Sequence, residues 1–81
     1  MEIELDDLDT LIVILAGKKA CSIRELAKET FKAISTVQQR LNRLQRYGYL
    51  DWVKGQHRSI HLTEKGKSYV QENRRVSATQ A

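Results

Sequence analysis

Residues 35–48 constrain the fold of this chain more than any other stretch. One set of positions at helical spacing is apolar, namely Val37, Leu41 and Leu44. Such a stripe predicts a helix with a single face against a core. Ser35 and Gln38 have the spacing of a capping box, which predicts that the helix begins there. Gly48 supplies the left-handed residue that commonly ends a helix.

The other faces of this helix are polar and carry no negative charge, because no acidic residue lies between Ser35 and Leu50. A solvated helix ordinarily mixes both signs of charge, since opposite charges one turn apart stabilise it. A face of this composition is suited instead to phosphates and base edges. The DNA contacts predicted on this helix are Ser35, Thr36, Gln38, Gln39, Asn42, Arg43 and Arg46.

A shorter helix is predicted just before this one. Ser22 and Glu25 have the spacing of a second capping box, and a narrow apolar stripe begins at Ile23 and fails at about Thr30. Residues 30–34 then separate two helices that each have one apolar face. This is the pattern of a helix-turn-helix, in which the first helix braces the second in the major groove of DNA.

Within the second helix, the N-terminal half is expected to lie against base edges. Gln38 and Gln39 are suited to adenine, and Arg43 to guanine or a phosphate. Asn42 and Arg46 lie further along the helix and are better placed for phosphates.

After Gly48 the apolar pattern changes from helical spacing to alternation, which predicts a β-hairpin. Leu50 and Trp52 share one side of the first strand, and Ile60 and Leu62 share one side of the second. The tip between the strands holds a glycine with basic and polar residues, as expected of a wing along a phosphate backbone; the alternative is an ordinary soluble turn. The contacts predicted on the wing are Lys54, Gln56, His57 and Arg58.

Several short motifs resemble those of bacterial and archaeal winged helix-turn-helix regulators. They are Leu26-Ala27, Ser35-Thr36-Val37, Leu41, Leu44 and Gly48-Tyr49-Leu50. Residues 52–62 are similar to the wing of the LexA DNA-binding domain, and residues 62–66 resemble the strand-to-helix junction of MarR-type regulators. The resemblance implies a small α+β winged helix-turn-helix domain, with three to four helices plus a β-hairpin wing. Where these regulators commonly have a glycine in the turn, this chain has Phe31, for which one alternative is a place in the core.

Two further helices are expected, one on each side of this region. The first covers residues 6–17, with acidic residues at Asp6, Asp7 and Asp9 to cap its first turn. Its core face is predicted at Leu8, Leu11, Ile12 and Leu15. Thr63 is expected to cap the last helix, residues 64–73, which leaves residues 74–81 as a flexible tail outside a domain of residues 1–73.

Val13 and Ile14 fall outside the predicted core stripe of the first helix, either as partly exposed core residues or as a partner surface. In the regulators that this chain resembles, dimers are commonly built from helices at the chain ends. The resemblance therefore implies a homodimer with an interface at Val13, Ile14, Tyr69 and Val70. The alternative is that Tyr69 and Val70 only cover the core of a monomer.

The distribution of charge favours a polyanionic partner. Five of the ten acidic residues lie in the first nine positions, so the other 72 residues carry 14 basic and five acidic side chains. Double-stranded DNA is the predicted partner, and regulation of transcription the predicted function. The alternative is a winged helix that serves as a protein-interaction module within a larger assembly.

Enzymatic and metal-dependent functions find little support in the sequence. Cys21, His57 and His61 are the only thiol and imidazole groups, whereas a structural zinc site usually needs four ligands. Cys21 is expected to be a small core residue rather than a redox sensor. No catalytic motif, cofactor, small-molecule ligand or membrane span is expected, and the lone cysteine favours the reducing cytoplasm.

Overall fold

In the computed structural model, which describes residues 4–19, 21–56 and 59–80, the chain forms four helices and one two-stranded antiparallel hairpin. The helices are α1 (Asp7–Lys18), α2 (Ile23–Thr30), α3 (Ile34–Arg46) and α4 (Glu64–Gln80), and the strands are β1 (Leu50–Asp51) and β2 (His61–Leu62). The predicted fold, a small winged helix-turn-helix domain, is confirmed. In the described part of the chain, no helix is both long enough and apolar enough to cross a bilayer.

Three of the helices begin at the side chains that the sequence predicted as caps. Asp6 accepts a hydrogen bond from the backbone N–H of Asp9 at 2.9 Å. Ser22 and Glu25 form a complete capping box at the start of α2, with distances of 3.1 and 3.2 Å. At the start of α4, the hydroxyl of Thr63 accepts from the backbone N–H of Gly66 at 3.2 Å. These caps satisfy N–H groups that have no partner within the helix.

Helix α3 begins earlier than predicted. Its first residue is Ile34 and its N-cap is Ala33, so the predicted capping box of Ser35 and Gln38 is wrong. The methyl side chain of Ala33 cannot accept a hydrogen bond. The turn after α2 takes only residues 31–33, because Phe31 adopts a left-handed conformation with φ 58° that reverses the chain at once.

The buried face of helix α1 only partly matches the predicted one, since Ile12 is buried and Leu8 and Leu15 pack partly buried against the core. The buried residues are Asp9, Ile12, Val13 and Ala16. Leu11 is 40% exposed, so the placements of Leu11 in the core and Val13 outside it are wrong. Residues 11–15 are all apolar, and periodicity therefore fits either face. The observed face is the one that brings the carboxylate of Asp9 to the side chain of Arg40 in α3.

Helix α4 packs against α1 and β2. Val70 is buried, and the hydroxyl of Tyr69 lies 2.8 Å from that of Thr10 in α1. All four residues predicted for a dimer interface pack in or against the core of a single chain: Val13, Ile14, Tyr69 and Val70. Their assignment to an exposed interface is therefore wrong for the buried pair, Val13 and Val70, whereas the homodimer itself stays a prediction.

The last helix also runs further than expected, to Gln80 instead of residue 73. Residues 67–80 contain neither proline nor glycine, so the sequence holds no strong helix breaker there. The assignment of residues 74–81 as a flexible tail stays a prediction.

The hairpin shows the alternation that the sequence predicted. Leu50 pairs with Leu62 and Asp51 with His61, and both leucines are buried while both polar residues are exposed. Before α2, Cys21 makes an isolated antiparallel bridge to Ile60 in the second arm of the hairpin. Cys21 is buried, as predicted for a small core residue. The hairpin is thereby joined to the helix-turn-helix at its base.

Candidate nucleic-acid interface

The outward face of α3 is a continuous polar stripe. Ser35, Gln39, Asn42 and Arg46 are all exposed and recur at the spacing of one helix face. They lie opposite the stripe of Val37, Leu41 and Leu44, which is fully buried as predicted. Because the burial of the apolar stripe fixes the rotation of α3 about its axis, the polar stripe must face outward.

The other predicted contacts lie at the margins of this stripe or on the wing. Arg43 is exposed on one flank of α3, and Thr36 and Gln38 are partly buried. On the wing, Lys54 and Gln56 are exposed. The remaining two predicted contacts, His57 and Arg58, lie outside the described residues.

The C-terminal end of α3 is held by the start of α4. The N–H groups of Gly48 and Tyr49 donate back to the carbonyls of Gln45 and Leu44 at 3.0 and 2.9 Å, a Schellman motif with Gly48 at φ 84°. The predicted role of Gly48 is confirmed. The ammonium group of Lys65 lies 2.9 Å from the carbonyl oxygen of Tyr47.

A second contact joins the residue before α4 to the segment just after α3. The hydroxyl of Thr63 donates to the carbonyl oxygen of Gly48 while it caps α4. The cap could be predicted from the sequence, but the contacts to Tyr47 and Gly48 could not, because they join residues that are 15 and 18 positions apart. The segment just after α3 is thus tied to the start of α4 by two hydrogen bonds.

Arg40 links α3 to the start of α1, a contact that was not predicted from the sequence. Its guanidinium contacts Asp6, and its Nη1 lies 3.2 Å from Oδ1 of Asp9. The Asp9 side chain is 0% exposed, and within the described part of the chain its Oδ2 has no hydrogen-bond partner. A signal was present, since Arg40 follows Val37 by three positions and precedes Leu44 by four, at the edge of the buried stripe.

The cluster of Arg40 with the two aspartates shifts the pKa values of Asp6 and Arg40. The backbone N–H of Asp9, and then the guanidinium of Arg40, lower the pKa of Asp6. The hydrogen bond to Asp6 in turn raises the pKa of Arg40. Arg40 therefore directs its charge to the start of α1, and Arg43 and Arg46 are left to supply positive charge on the exposed side of α3.

The wing is closed by short-range hydrogen bonds. The N–H of Gln56 donates to the carbonyl of Val53 at 3.1 Å, and Gly55 has φ 85°, the value that the third residue of a type II turn requires. The hydroxyl of Ser59 accepts from the N–H of Val53 and donates to its carbonyl, both at 3.0 Å. At the base of the wing, the side-chain amide of Gln45 donates to the carbonyl of Trp52 at 3.4 Å, which ties the wing to α3.

The described residues do not gather a metal site, since no three Asp, Glu, His or Cys side chains of residues 4–19, 21–56 and 59–80 come together to hold an ion. The arrangement instead presents hydrogen-bonding amides, hydroxyls and guanidinium groups on an exposed helix with a polar hairpin beside it. These groups can bind phosphates and the edges of bases.

A three-helix core with an antiparallel hairpin after its third helix defines a winged helix-turn-helix domain, and solved structures share this architecture. The crystal structure of Streptococcus pneumoniae FabT in complex with DNA aligns with a TM-score of 0.82 and 23% identity, over 95% of this chain and 57% of that chain. The transcriptional repressor CouR aligns with a TM-score of 0.80 and 18% identity, over 94% and 56%. The zinc-dependent MarR family transcriptional regulator AdcR, in its Zn(II)-bound state, aligns with a TM-score of 0.73 and 20% identity, over 93% and 54%.

The predicted resemblance to winged helix regulators of the MarR type is thereby confirmed at the level of the fold. The chain spans little more than half the length of each of these three proteins. Residues 9–69 match the model of the HVO_A0114 family, and the chain belongs to that family. Among curated protein sequences, none matches the chain.

Proposed function

We propose that this chain binds duplex DNA in a sequence-specific manner and regulates transcription. The observation that carries the proposal is the outward face of α3, where Ser35, Gln39, Asn42 and Arg46 are exposed together and no acidic residue occurs in the helix. The fold places this face next to a polar hairpin. The likeness to FabT, whose structure was determined in complex with DNA, supports the same use of the fold.

In this proposal α3 lies in the major groove with its N-terminal half against the bases. Gln38 and Gln39 carry amide groups that match the donor and acceptor pair of adenine. Arg43 approaches guanine or a phosphate, and Asn42 and Arg46 approach phosphates. The wing follows the backbone through Lys54 and its neighbours. The backbone N–H groups at the start of α3 also suit a phosphate, because Ala33 provides no side-chain cap.

The test begins with selection of a preferred duplex from a random library, followed by titration of that duplex and of a scrambled one at several salt concentrations. Contacts from Lys54, Arg58, Arg43 and Arg46 would give a slope of log K against log salt of roughly −3 to −5 for one chain. A slope near zero for every duplex would contradict the proposal and favour the alternative, in which the same surface binds an acidic protein.

Two substitutions separate base contacts from phosphate contacts. Gln39→Ala should weaken the selected duplex by about 1–3 kcal/mol and leave the scrambled duplex nearly unchanged. Lys54→Ala should weaken both duplexes alike and reduce the salt slope by about one. Both residues are exposed, so neither change should affect folding. Equal behaviour of the two variants would argue against the assigned roles.

The proposal includes a homodimer, since one winged helix of this size buries only about 600–1,000 Å² on DNA, and a two-fold dimer would double its contacts. Burial of Val13 makes a substitution there a test of folding rather than of association. Leu11 is the exposed apolar residue of α1, so Leu11→Glu is the better variant. Sedimentation equilibrium should show a dimer for the wild type and a monomer for this variant. A wild type that is monomeric both free and on its site would end this part of the proposal.

A dimer would also require two half-sites whose centres are about 34–36 Å, one helical turn, apart. Repression is the expected direction of regulation, in line with CouR, which is described as a transcriptional repressor. The cytoplasm is the expected compartment, and no enzymatic activity is part of the proposal.

A further inference from the structure

Phe31 combines two features that each disfavour a phenylalanine. Its backbone is left-handed, with φ 58° and ψ 36°, a conformation in which the Cβ atom and a bulky side chain are strained. Its side chain is 93% exposed, so the alternative of a core residue is wrong. Folding of the isolated chain therefore gains nothing evident from the aromatic ring.

The same hydrogen-bonding motif occurs with a glycine elsewhere in this chain. At the end of α2, the N–H of Lys32 donates to the carbonyl of Ala27 at 3.1 Å, and the N–H of Phe31 to that of Lys28 at 3.3 Å. This is the Schellman motif that also ends α3, where Gly48 is the left-handed residue. The motif itself does not need an aromatic side chain, so the ring of Phe31 calls for a different explanation.

A second exposed apolar residue lies close by in sequence. Ile34, the first residue of α3, is 45% exposed. Phe31 and Ile34 are together named the turn patch. They are two of the four large hydrophobic residues that are exposed in residues 4–19, 21–56 and 59–80. Lys32 lies between them in sequence and is exposed, and residues 30–50 contain no acidic residue. Arg40, in contrast, is paired with Asp6 and Asp9. The exposed charge next to the patch in sequence is therefore positive and complements a polyanion.

We propose that the turn patch is a specificity-determining contact to duplex DNA. Ile34 stands at the end of α3 from which a recognition helix reaches base edges, and its side chain would lie against the C5 methyl group of thymine. Phe31 would cover the adjoining deoxyribose on the same strand and exclude water from the contact. This inference rests on the proposed function, and it adds that the preferred site contains thymine opposite the start of α3.

The test uses variants that keep the backbone and change the side chain. Phe31→Asn and Phe31→Gly remove the ring with residues that tolerate the left-handed conformation, whereas Phe31→Tyr retains the ring. The melting temperatures of the Asn and Gly variants should equal or exceed that of the wild type. Fluorescence anisotropy with the selected duplex should show a loss of affinity of about fivefold or more for Asn and Gly, and little change for Tyr.

The DNA supplies a matched probe, because replacing thymine by deoxyuridine removes only the C5 methyl group. In the selected duplex, this replacement opposite α3 should weaken wild-type binding by roughly two- to tenfold. With Ile34→Ala the same replacement should have almost no effect, since the methyl group would have lost its partner.

Each outcome has a separate meaning. The turn patch would be overturned as a DNA contact if Phe31→Asn bound the selected duplex as tightly as the wild type does. It would also be overturned if deoxyuridine weakened the wild type and Ile34→Ala equally. Either result would leave the proposed function intact. A wild type that binds no duplex more tightly than scrambled DNA would contradict sequence-specific recognition itself. Loss of affinity confined to the variants without the ring, at unchanged or higher stability, would support the inference.

Discussion

Replacement of Arg40 by methionine is expected to destabilise the protein because it leaves a buried carboxylate without its cation. Asp9 is 0% exposed, and its contact with Arg40 at 3.2 Å is the ion pair that joins α1 to α3. Removal of one partner of a fully buried ion pair costs about 3–5 kcal/mol. The Arg40 side chain is 28% exposed, so water reaches part of this cluster and the expected loss is smaller, about 2–4 kcal/mol.

The assay is urea unfolding at neutral pH, with Arg46→Met as the matched control. Arg46 lies on the same helix but is exposed, so its replacement should change the free energy of unfolding by no more than about 0.5 kcal/mol. The double variant Asp9→Leu/Arg40→Met removes both charges and should recover to within about 1 kcal/mol of the wild type, since an apolar pair can replace a buried ion pair.

If Arg40→Met lost no more stability than Arg46→Met, Asp9 would not depend on Arg40 for its burial. A double variant less stable than Arg40→Met would show that the loss does not come from an unpaired Asp9. The same variants can be titrated with DNA. Arg40 directs its charge to α1, so its replacement should leave the salt slope of DNA binding nearly unchanged, in contrast to Arg43.

Three further predictions concern stability. Gly66→Ala should cost about 1–3 kcal/mol in urea unfolding, because its Cβ would overlap the backbone carbonyl oxygen of Tyr49. Gly17→Ala should cost less, because its Cβ would press only on side-chain methyl groups of Leu62 and Val70; equal losses would contradict this. Ala33→Ser should stabilise the protein by about 0.5–2 kcal/mol by capping α3, and a lower melting temperature would show that the cap does not form. The lowered pKa of Asp6 means that the unfolded state binds more protons, so its contribution to stability is present above about pH 4 and is lost as the pH falls further. Asp6→Asn can still cap α1, so it should only make the fall of unfolding free energy with decreasing pH less steep. The same pH dependence in the variant and the wild type would contradict this prediction.

The sequence by itself determined the elements whose patterns have one solution. Helices α2 and α3 each have a narrow apolar stripe, so only one face could be buried. The hairpin alternates with period two, which fixed Leu50 and Leu62 on the inner side. The cap side chains of Asp6, Ser22 and Thr63 each accept a hydrogen bond from the backbone N–H three residues later, so they could be predicted from spacing alone. The polar face of α3 follows from the same geometry, because the position of the core stripe determines the opposite side.

The tertiary structure decided the features that depend on partners distant in sequence. The exact rotation of α1, which exposes Leu11 and buries Val13, could not be predicted because residues 11–15 are apolar on every side. This rotation is linked to a contact between Asp9 and Arg40 across 31 positions. That contact also makes Arg40 a link between helices, which helical spacing alone did not predict. The start of α3 and the exposure of Phe31 depended on a left-handed turn that a phenylalanine does not signal, since its Cβ disfavours that conformation. Periodicity shows which residues can be buried, but the long-range partners of each side chain decide which of them are.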